Sequence, residues 1–159
     1  MTIKIRSMTP DDKPVVMSLL QTLPEFKPSE VTVAEEVINT YLADPSGSGY
    51  RIRVAEADSV IAGYICFGPS PMTEGTWDIY WIAVATGKQG QGIGSALVTS
   101  AQDEIKRAQG RLVIVETSSQ PEYEKTRRFY LSQGYQVACR VPDFYAPGDD
   151  KLILTKQLG

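Results

Sequence analysis

The run Gln89-Gly90-Gln91-Gly92-Ile93-Gly94 follows a strand-like stretch, Trp77 to Val84, and opens an amphipathic segment that begins Ser95-Ala96-Leu97-Val98. A glycine-rich turn feeding a helix leaves the first amides of that helix without intrahelical partners, and the positive end of the helix dipole adds to their pull on anions. Phosphate oxygens fit such a site, and glycine lets a bulky diphosphate approach the backbone closely. Arg111 to Thr117 then forms a short, mostly apolar stretch, so the segment reads strand, helix, strand. Within one sheet that is a right-handed crossover between parallel strands. The implied ligand is a nucleotide-like anion.

The chain has 159 residues, enough for one domain, residues 1–159, whose core needs no disulfide staple. A net charge of -3 offers no basic field for nucleic acid. No apolar stretch nears the roughly 20 residues that cross a bilayer, so no membrane is expected. Cys66 and Cys139 stand alone in apolar strands, where small buried hydrophobes are the default, and no charged-then-apolar leader precedes Ile3. A reducing, cytoplasmic setting is the expectation. Histidine is absent. That removes the Ser-His-Asp and Cys-His nucleophiles and the commonest nitrogen ligand, so no metal is expected and any acid or base must be Asp, Glu, Tyr, Lys, Cys or water.

Periodicity places the elements around the turn. Ile3 and Ile5 alternate with polar residues as a first strand, and Thr9 caps a helix that carries Val15, Val16, Leu19, Leu20 and Leu23 at helical spacing until Pro24. Leu23 to Ser29 is a connector, Ser29 to Ala43 a second helix, and Asp44-Pro45-Ser46-Gly47 a break. Tyr50 to Ala57 and Val60 to Phe67 read as a hairpin about Asp58-Ser59. The fourth strand, Thr76 to Ala85, alternates Trp77, Ile79, Trp81 and Ala83 with Asp78, Tyr80, Ile82 and Val84, as in a central strand covered on both sides. Pro121 to Leu131 is the last helix, closed by Gly134. Strands Tyr135 to Arg140 and Lys151 to Lys156 follow, flanking a loop from Val141 to Asp150. The class is α/β or α+β.

Spacing separates the phosphate-binding readings. A P-loop needs Gly-Lys and then Ser or Thr at the end of its glycine run, but Gly87-Lys88-Gln89 lies at the start. The dinucleotide fingerprint fits Gly90-x-Gly92 with Glu116 near the ribose acid's place, but Ser95 replaces the third glycine, and too little chain follows for that fold. The remaining reading rests on Gln89, Gly92 and Gly94, which meet the pattern Arg or Gln, two residues, Gly, one residue, Gly or Ala. Around them stand Asp78-Ile79-Tyr80-Trp81-Ile82-Ala83-Val84 upstream and Phe129-Tyr130 with Gly134-Tyr135 downstream. Over essentially its whole length the chain resembles the GNAT family of acetyl-CoA-dependent N-acetyltransferases.

The resemblance implies a mixed, mostly antiparallel sheet of six or seven strands, about four helices on its two faces, and central strands 4 and 5 parallel and splayed. It implies acetyl-CoA as co-substrate. Gln89, Gly90, Gln91, Gly92, Ile93, Gly94 and Ser95 would hold the diphosphate, Ile82, Ala83 and Val84 the pantetheine arm as an added strand, and Arg128 a further phosphate. Tyr123 stands where many members carry an Asn that touches the cofactor.

Acyl transfer to an amine needs a neutral nucleophile and a proton for the departing thiolate. A lysine-like amine titrates near 10.4, so a base or water relay must strip it. Asp78, the only charge in the fourth strand, and Glu116, at the end of the fifth, are the candidate bases. By family analogy Tyr130 is the proton donor to the thiolate, while Phe129 belongs to the core. Glu25 and Phe26 in the first connector, and Phe144 and Tyr145 in the loop from Val141 to Asp150, would wall the acceptor; Asp143, Asp149 and Asp150 add charge suited to an ammonium. The expected partner is an amine, on a small molecule or a protein, with a homodimer left open. The alternatives are a non-catalytic acyl-CoA-binding module and an altered dinucleotide-binding protein.

Overall fold

The computed structural model describes residues 1–159. Its strands are β1 (Ile3–Ser7), β2 (Arg51–Ala57), β3 (Val60–Pro69), β4 (Thr76–Val84), β5 (Leu112–Ser118), β6 (Gln136–Ala146) and β7 (Asp149–Gln157). Its helices are α1 (Lys13–Thr22), α2 (Pro28–Ala43), α3 (Ile93–Arg107) and α4 (Glu124–Ser132), with single 3-10 turns at Pro10–Asp12 and Pro121–Tyr123. The strands make one sheet in the order β1-β2-β3-β4-β5-β7-β6, antiparallel except for β4 beside β5. The crossover between those two is the glycine turn and α3. No helix is long and apolar enough to cross a membrane.

Local chemistry sets the boundaries. Asp12 accepts from the Thr9 amide at 2.8 Å and from the Arg6 guanidinium at 2.7 and 2.9 Å, which pins the approach to α1. Pro28 opens α2, and Pro45 follows its end. Asp58 and Ser59 both take positive φ, 50° and 71°, as the turn of a two-residue hairpin requires.

The sheet divides the core. Val16, Leu19 and Leu20 of α1 and Ala34, Ile38 and Tyr41 of α2 pack on one face with Val54, Tyr64, Cys66 and Ala83. Ile93, Leu97, Val98, Ala101 and Ile105 of α3, with Tyr130 of α4, pack on the other against Ile65, Phe67, Trp77, Ile79, Val113 and Val115. Gly63 is required by this second layer: a Cβ there would come within 2.9 Å of the Ala83 carbonyl and 3.1 Å of Leu97.

Three local readings of the sequence are corrected. Strict alternation along β4 fails because Trp81 pairs with Cys66 and Ile79 with Phe67, which leaves Tyr80 as an extra, unpaired residue. This bulge reverses the faces beyond it. Ile82 and Val84 join Trp77 and Ile79 on the α3 side, and Trp81 and Ala83 turn to the α1 and α2 side. The segment Val141 to Asp150 is no ten-residue loop. Strand β6 runs to Ala146 and reverses at Pro147-Gly148; between Val141 and Ala146 the register slips, so Pro142 to Tyr145 bulge out. Finally, Cys66 is buried as expected, but Cys139 is exposed, because β6 is an edge strand that no helix covers.

Candidate functional site

Strands β4 and β5 pair only from Thr76–Ile79 to Leu112–Val115, and past that point they separate. The bulge at Tyr80 falls at the fork. A bulge bends its strand and ends pairing, which accounts for the split. Beyond the fork Ala85 donates its amide to the Ala62 carbonyl at 2.7 Å, and Ala83 pairs with Tyr64 across β3. By antiparallel alternation the main-chain groups of Ile82 and Val84 therefore point away from β3, into the gap, while those of Ala83 point to β3. The Val84 carbonyl accepts from the Gln89 side chain at 3.2 Å, which agrees with that direction.

At the head of α3, Gly90 and Gly92 take φ of 77° and 85°, so the turn needs glycine for its backbone conformation alone. A Cβ at either would meet nothing within 4 Å. The first main-chain bond of the helix is Ala96 N–H to the Gly92 carbonyl at 3.0 Å, which leaves the amides of Gln91 to Ser95 without main-chain acceptors. Gln91 donates its side-chain amide back to Gly87 O at 3.3 Å, and Ser95 Oγ accepts from Gln133 at 2.9 Å. Ile93 buries its side chain in the core while its amide stays at the helix start. Gly94 has another role. A Cβ there would lie 3.1 Å from Phe129 Cε1 and 3.8 Å from Val84, so this glycine lets α4 close on α3. Arg128 is 77% exposed on α4 and pairs with Glu124 at 2.8 Å.

A cavity of about 730 Å³ opens on the fork. Asp78, Tyr80, Trp81 and Ile82 of β4 line it on one side and Val115, Glu116, Thr117 and Ser118 of β5 on the other. Tyr130 joins them from α4. Glu25 and Phe26 come from the α1–α2 connector, Glu30 from α2, Tyr123 from the turn before α4, and Tyr145 and Asp149 from the β6–β7 hairpin. Phe144 is outside this lining; it is exposed, stacked edge-on against Tyr145 and lying 4.2 Å from the Lys151 ammonium.

Tyr130 is only 2% exposed, its ring held between Phe129 and Tyr135 at centroid distances of 5.2 and 5.3 Å, and its hydroxyl has no hydrogen-bond partner in the protein. Burial pushes its titration well above the ordinary phenol range, so the proton stays on at any working pH. Asp78 accepts a hydrogen bond from Ser70 Oγ. Glu116 pairs with Lys151 at 2.8 Å. Of the three acids near the hairpin, Asp150 accepts from the Asp143 amide and Arg140, and Asp143 accepts from the Gly148 amide, so both hold the hairpin's shape. Only Asp149, which accepts from Ser118 Oγ, reaches the cavity.

The other phenols that line the cavity, Tyr80, Tyr123 and Tyr145, are also shifted upward. Tyr80 is pushed up to about 12 by burial and then by Asp78. Burial, followed by Glu30, raises Tyr123; burial, followed by Glu116, Asp149 and Glu30, raises Tyr145.

Sequence reasoning does not find Glu30 or Tyr80 as cavity residues. Glu30 looks like an ordinary first-turn acid that accepts from the Lys27 amide. Nothing in the residue type of Tyr80 marks the bulge, since aromatic residues fit either face of a covered strand.

The model of the acetyltransferase (GNAT) domain matches residues 48–137. An uncharacterized N-acetyltransferase of Methanocaldococcus jannaschii, MJ1530, is 30% identical over 105 residues, a stretch that covers 65% of this chain and 64% of that protein. A crystal structure from Desulfovibrio desulfuricans, assigned to the GNAT family, is 36% identical with a TM-score of 0.95, covering 99% of this chain and 100% of that one. The YncA protein of Salmonella typhimurium, solved with its cofactor acetyl-CoA, shares the fold at 19% identity and a TM-score of 0.72, over 100% of this chain and 95% of its own. With the split between β4 and β5, the glycine turn at the head of α3 and a family match over more than half its length, the chain belongs to the GNAT acetyltransferase family.

Proposed function

We propose that the protein transfers an acetyl group from acetyl-CoA to a primary amine by direct attack. Three features carry this reading: amides from Gln91 to Ser95 without main-chain acceptors, two neighbouring strands that part beyond Ile79 and Val115, and a phenol in the cavity at that fork whose hydroxyl has no partner in the protein. The residues fit acetyl-CoA. The amides from Gln91 to Ser95 have no main-chain acceptors, and the space beside Gly90 and Gly92 is open, since a Cβ on either would touch nothing; such a turn suits two linked phosphates. The main chain of Ile82 and Val84 would hold the amide-bearing arm as an extra strand, with Gln89 yielding the Val84 carbonyl.

When bound, acetyl-CoA supplies an activated acyl group whose C–S bond is exchanged for an amide C–N bond. The protein's part is to manage protons on either side of that exchange. Asp78 takes the amine's proton; it lines the cavity with only a hydroxyl as its hydrogen-bond donor, whereas Glu116 is occupied by Lys151. Tyr130 holds a proton at its hydroxyl for the departing sulfur, and its burial keeps that proton in place and water away.

The test is thiol release from acetyl-CoA across a panel of primary amines. Time-dependent release with at least one amine, lost in Tyr130→Phe, is expected. Binding of acetyl-CoA without release for any amine would leave a non-catalytic acyl-CoA-binding module.

A further inference from the structure

The cavity is acidic in an unusual way. Five carboxylates line it, from Glu25, Glu30, Asp78, Glu116 and Asp149, against a single cation, Lys27. Only Glu116 has an ion-pair partner, Lys151. Glu30, Asp78 and Asp149 are held in place by neutral donors: Tyr123, Ser70 and Ser118. Carboxylates grouped this way repel one another unless a cation comes between them, so the arrangement favours a positively charged occupant.

A second observation shows where one end of that occupant goes. Tyr130 is almost wholly buried, lines the same cavity and leaves its hydroxyl unpartnered. The ring is enclosed but the hydroxyl itself is not sealed off, so it opens onto the cavity and offers its free hydrogen-bonding capacity to an occupant. Glu30 and Asp149 mark the other end. They come from α2 and β7, and their hydrogen-bond donors, Tyr123 for Glu30 and Ser118 for Asp149, line the same cavity. Phe26, Trp81 and Tyr145 wall the space with apolar and aromatic surface that suits methylenes and ammonium groups.

Resting on the acetyltransferase reading above, we propose that the acceptor is a linear diamine or polyamine. The nitrogen to be acetylated lies by Asp78 and Tyr130, and a distal ammonium lies between Glu30 and Asp149. An amino acid would bring its own carboxylate into this ring of negative charge. A cavity of about 730 Å³ is of small-molecule size.

Thiol release with acetyl-CoA should be compared for 1,5-diaminopentane, n-pentylamine and 5-aminopentanoate, together with a dipeptide amide. The diamine should exceed n-pentylamine by about tenfold or more in kcat/KM, the scale of one charge-assisted contact, and 5-aminopentanoate should fall lowest. Glu30→Gln and Asp149→Asn should each cut the diamine's advantage by raising its KM more than that of n-pentylamine, while Glu36→Gln on the exposed face of α2 changes nothing. Because Asp149 is buried and its variant risks misfolding, Glu30→Gln is the deciding one, with thermal melting as the check on its fold. Equal kcat/KM for diamine and monoamine would overturn this inference and leave acetyl transfer standing. Preference for the dipeptide amide would overturn it in favour of a peptide amino terminus. Release with no amine at all would sink both.

Discussion

The Tyr123 hydroxyl lies 3.1 Å from Glu30 Oε1 and 3.2 Å from the Glu25 carbonyl, which ties the start of α4 to the α1–α2 connector across the cavity. Tyr123 stands where the family resemblance places a cofactor-contacting Asn, yet its hydroxyl is directed at Glu25 and Glu30, the wall proposed for the acceptor. Tyr123→Phe should therefore raise the KM for the amine several-fold, leave acetyl-CoA affinity within about twofold, and cost about 1 kcal/mol of stability, the usual worth of one such bond. Calorimetric titration with acetyl-CoA separates the two sites; a large loss of acetyl-CoA affinity would contradict the assignment.

The glycines of the turn serve different ends, and substitutions should show it. Gly94→Val pushes against Phe129 and should lower the stability of the free protein by about 1–3 kcal/mol, as overpacking does. Gly92→Ala strains a φ of 85° at a cost of about 1 kcal/mol and places a methyl group in the space assigned to the diphosphate. It should weaken acetyl-CoA binding by about tenfold or more. Thermal melts and titrations on both variants check this; wild-type affinity in Gly92→Ala would remove the turn from the cofactor site.

Tyr130→Phe keeps the ring between Phe129 and Tyr135 and deletes only the hydroxyl. Turnover should fall by about 10²-fold or more, within the range of general acid catalysis, with little change in acetyl-CoA affinity. Because burial raises the phenol's titration, the wild-type rate should show no alkaline fall attributable to Tyr130 up to pH 10. A kcat that survives the substitution would exclude Tyr130 as the proton donor.

The Asp12–Arg6 pair sets an acid limit on stability. Asp12 is held down to about 2, first by hydrogen bonding from the Arg6 guanidinium, against an unfolded value near 3.8. A depressed carboxylate stabilises the fold above its unfolded value and loses that contribution as pH falls through its folded one, so the loss is expected between about pH 4 and 2. Asp12→Asn should lower the melting temperature at pH 7 and flatten the acid dependence over that window. An unchanged slope would show that other carboxylates control it.

Much of this was legible in the sequence because its signals were local. The glycine turn, the helical spacing of Leu97, Ala101 and Ile105, and the apolar run from Leu112 to Val115 mark the crossover that makes β4 and β5 parallel. What escaped depended on register. One extra residue at Tyr80 reversed the faces of Ile82 and Val84, since a strand's period of two has no memory across a bulge. The two strands of the β6–β7 hairpin were legible, but their reach was hidden for a related reason: Pro, Asp and Gly between Val141 and Asp150 look like loop residues, but here they build a bulge whose shape Asp143 and Asp150 hold. The acidity of the cavity was harder still to foresee. Glu30, Asp78 and Asp149 come from three separate elements, and only the folded sheet brings them to one space.

Amide-resolved NMR during titration with acetyl-CoA tests the central claim most directly. Saturable shifts concentrated at Gln91 to Ser95 and at Ile82 and Val84 are the predicted result. Shifts confined to other regions, or none at saturating acetyl-CoA, would contradict it.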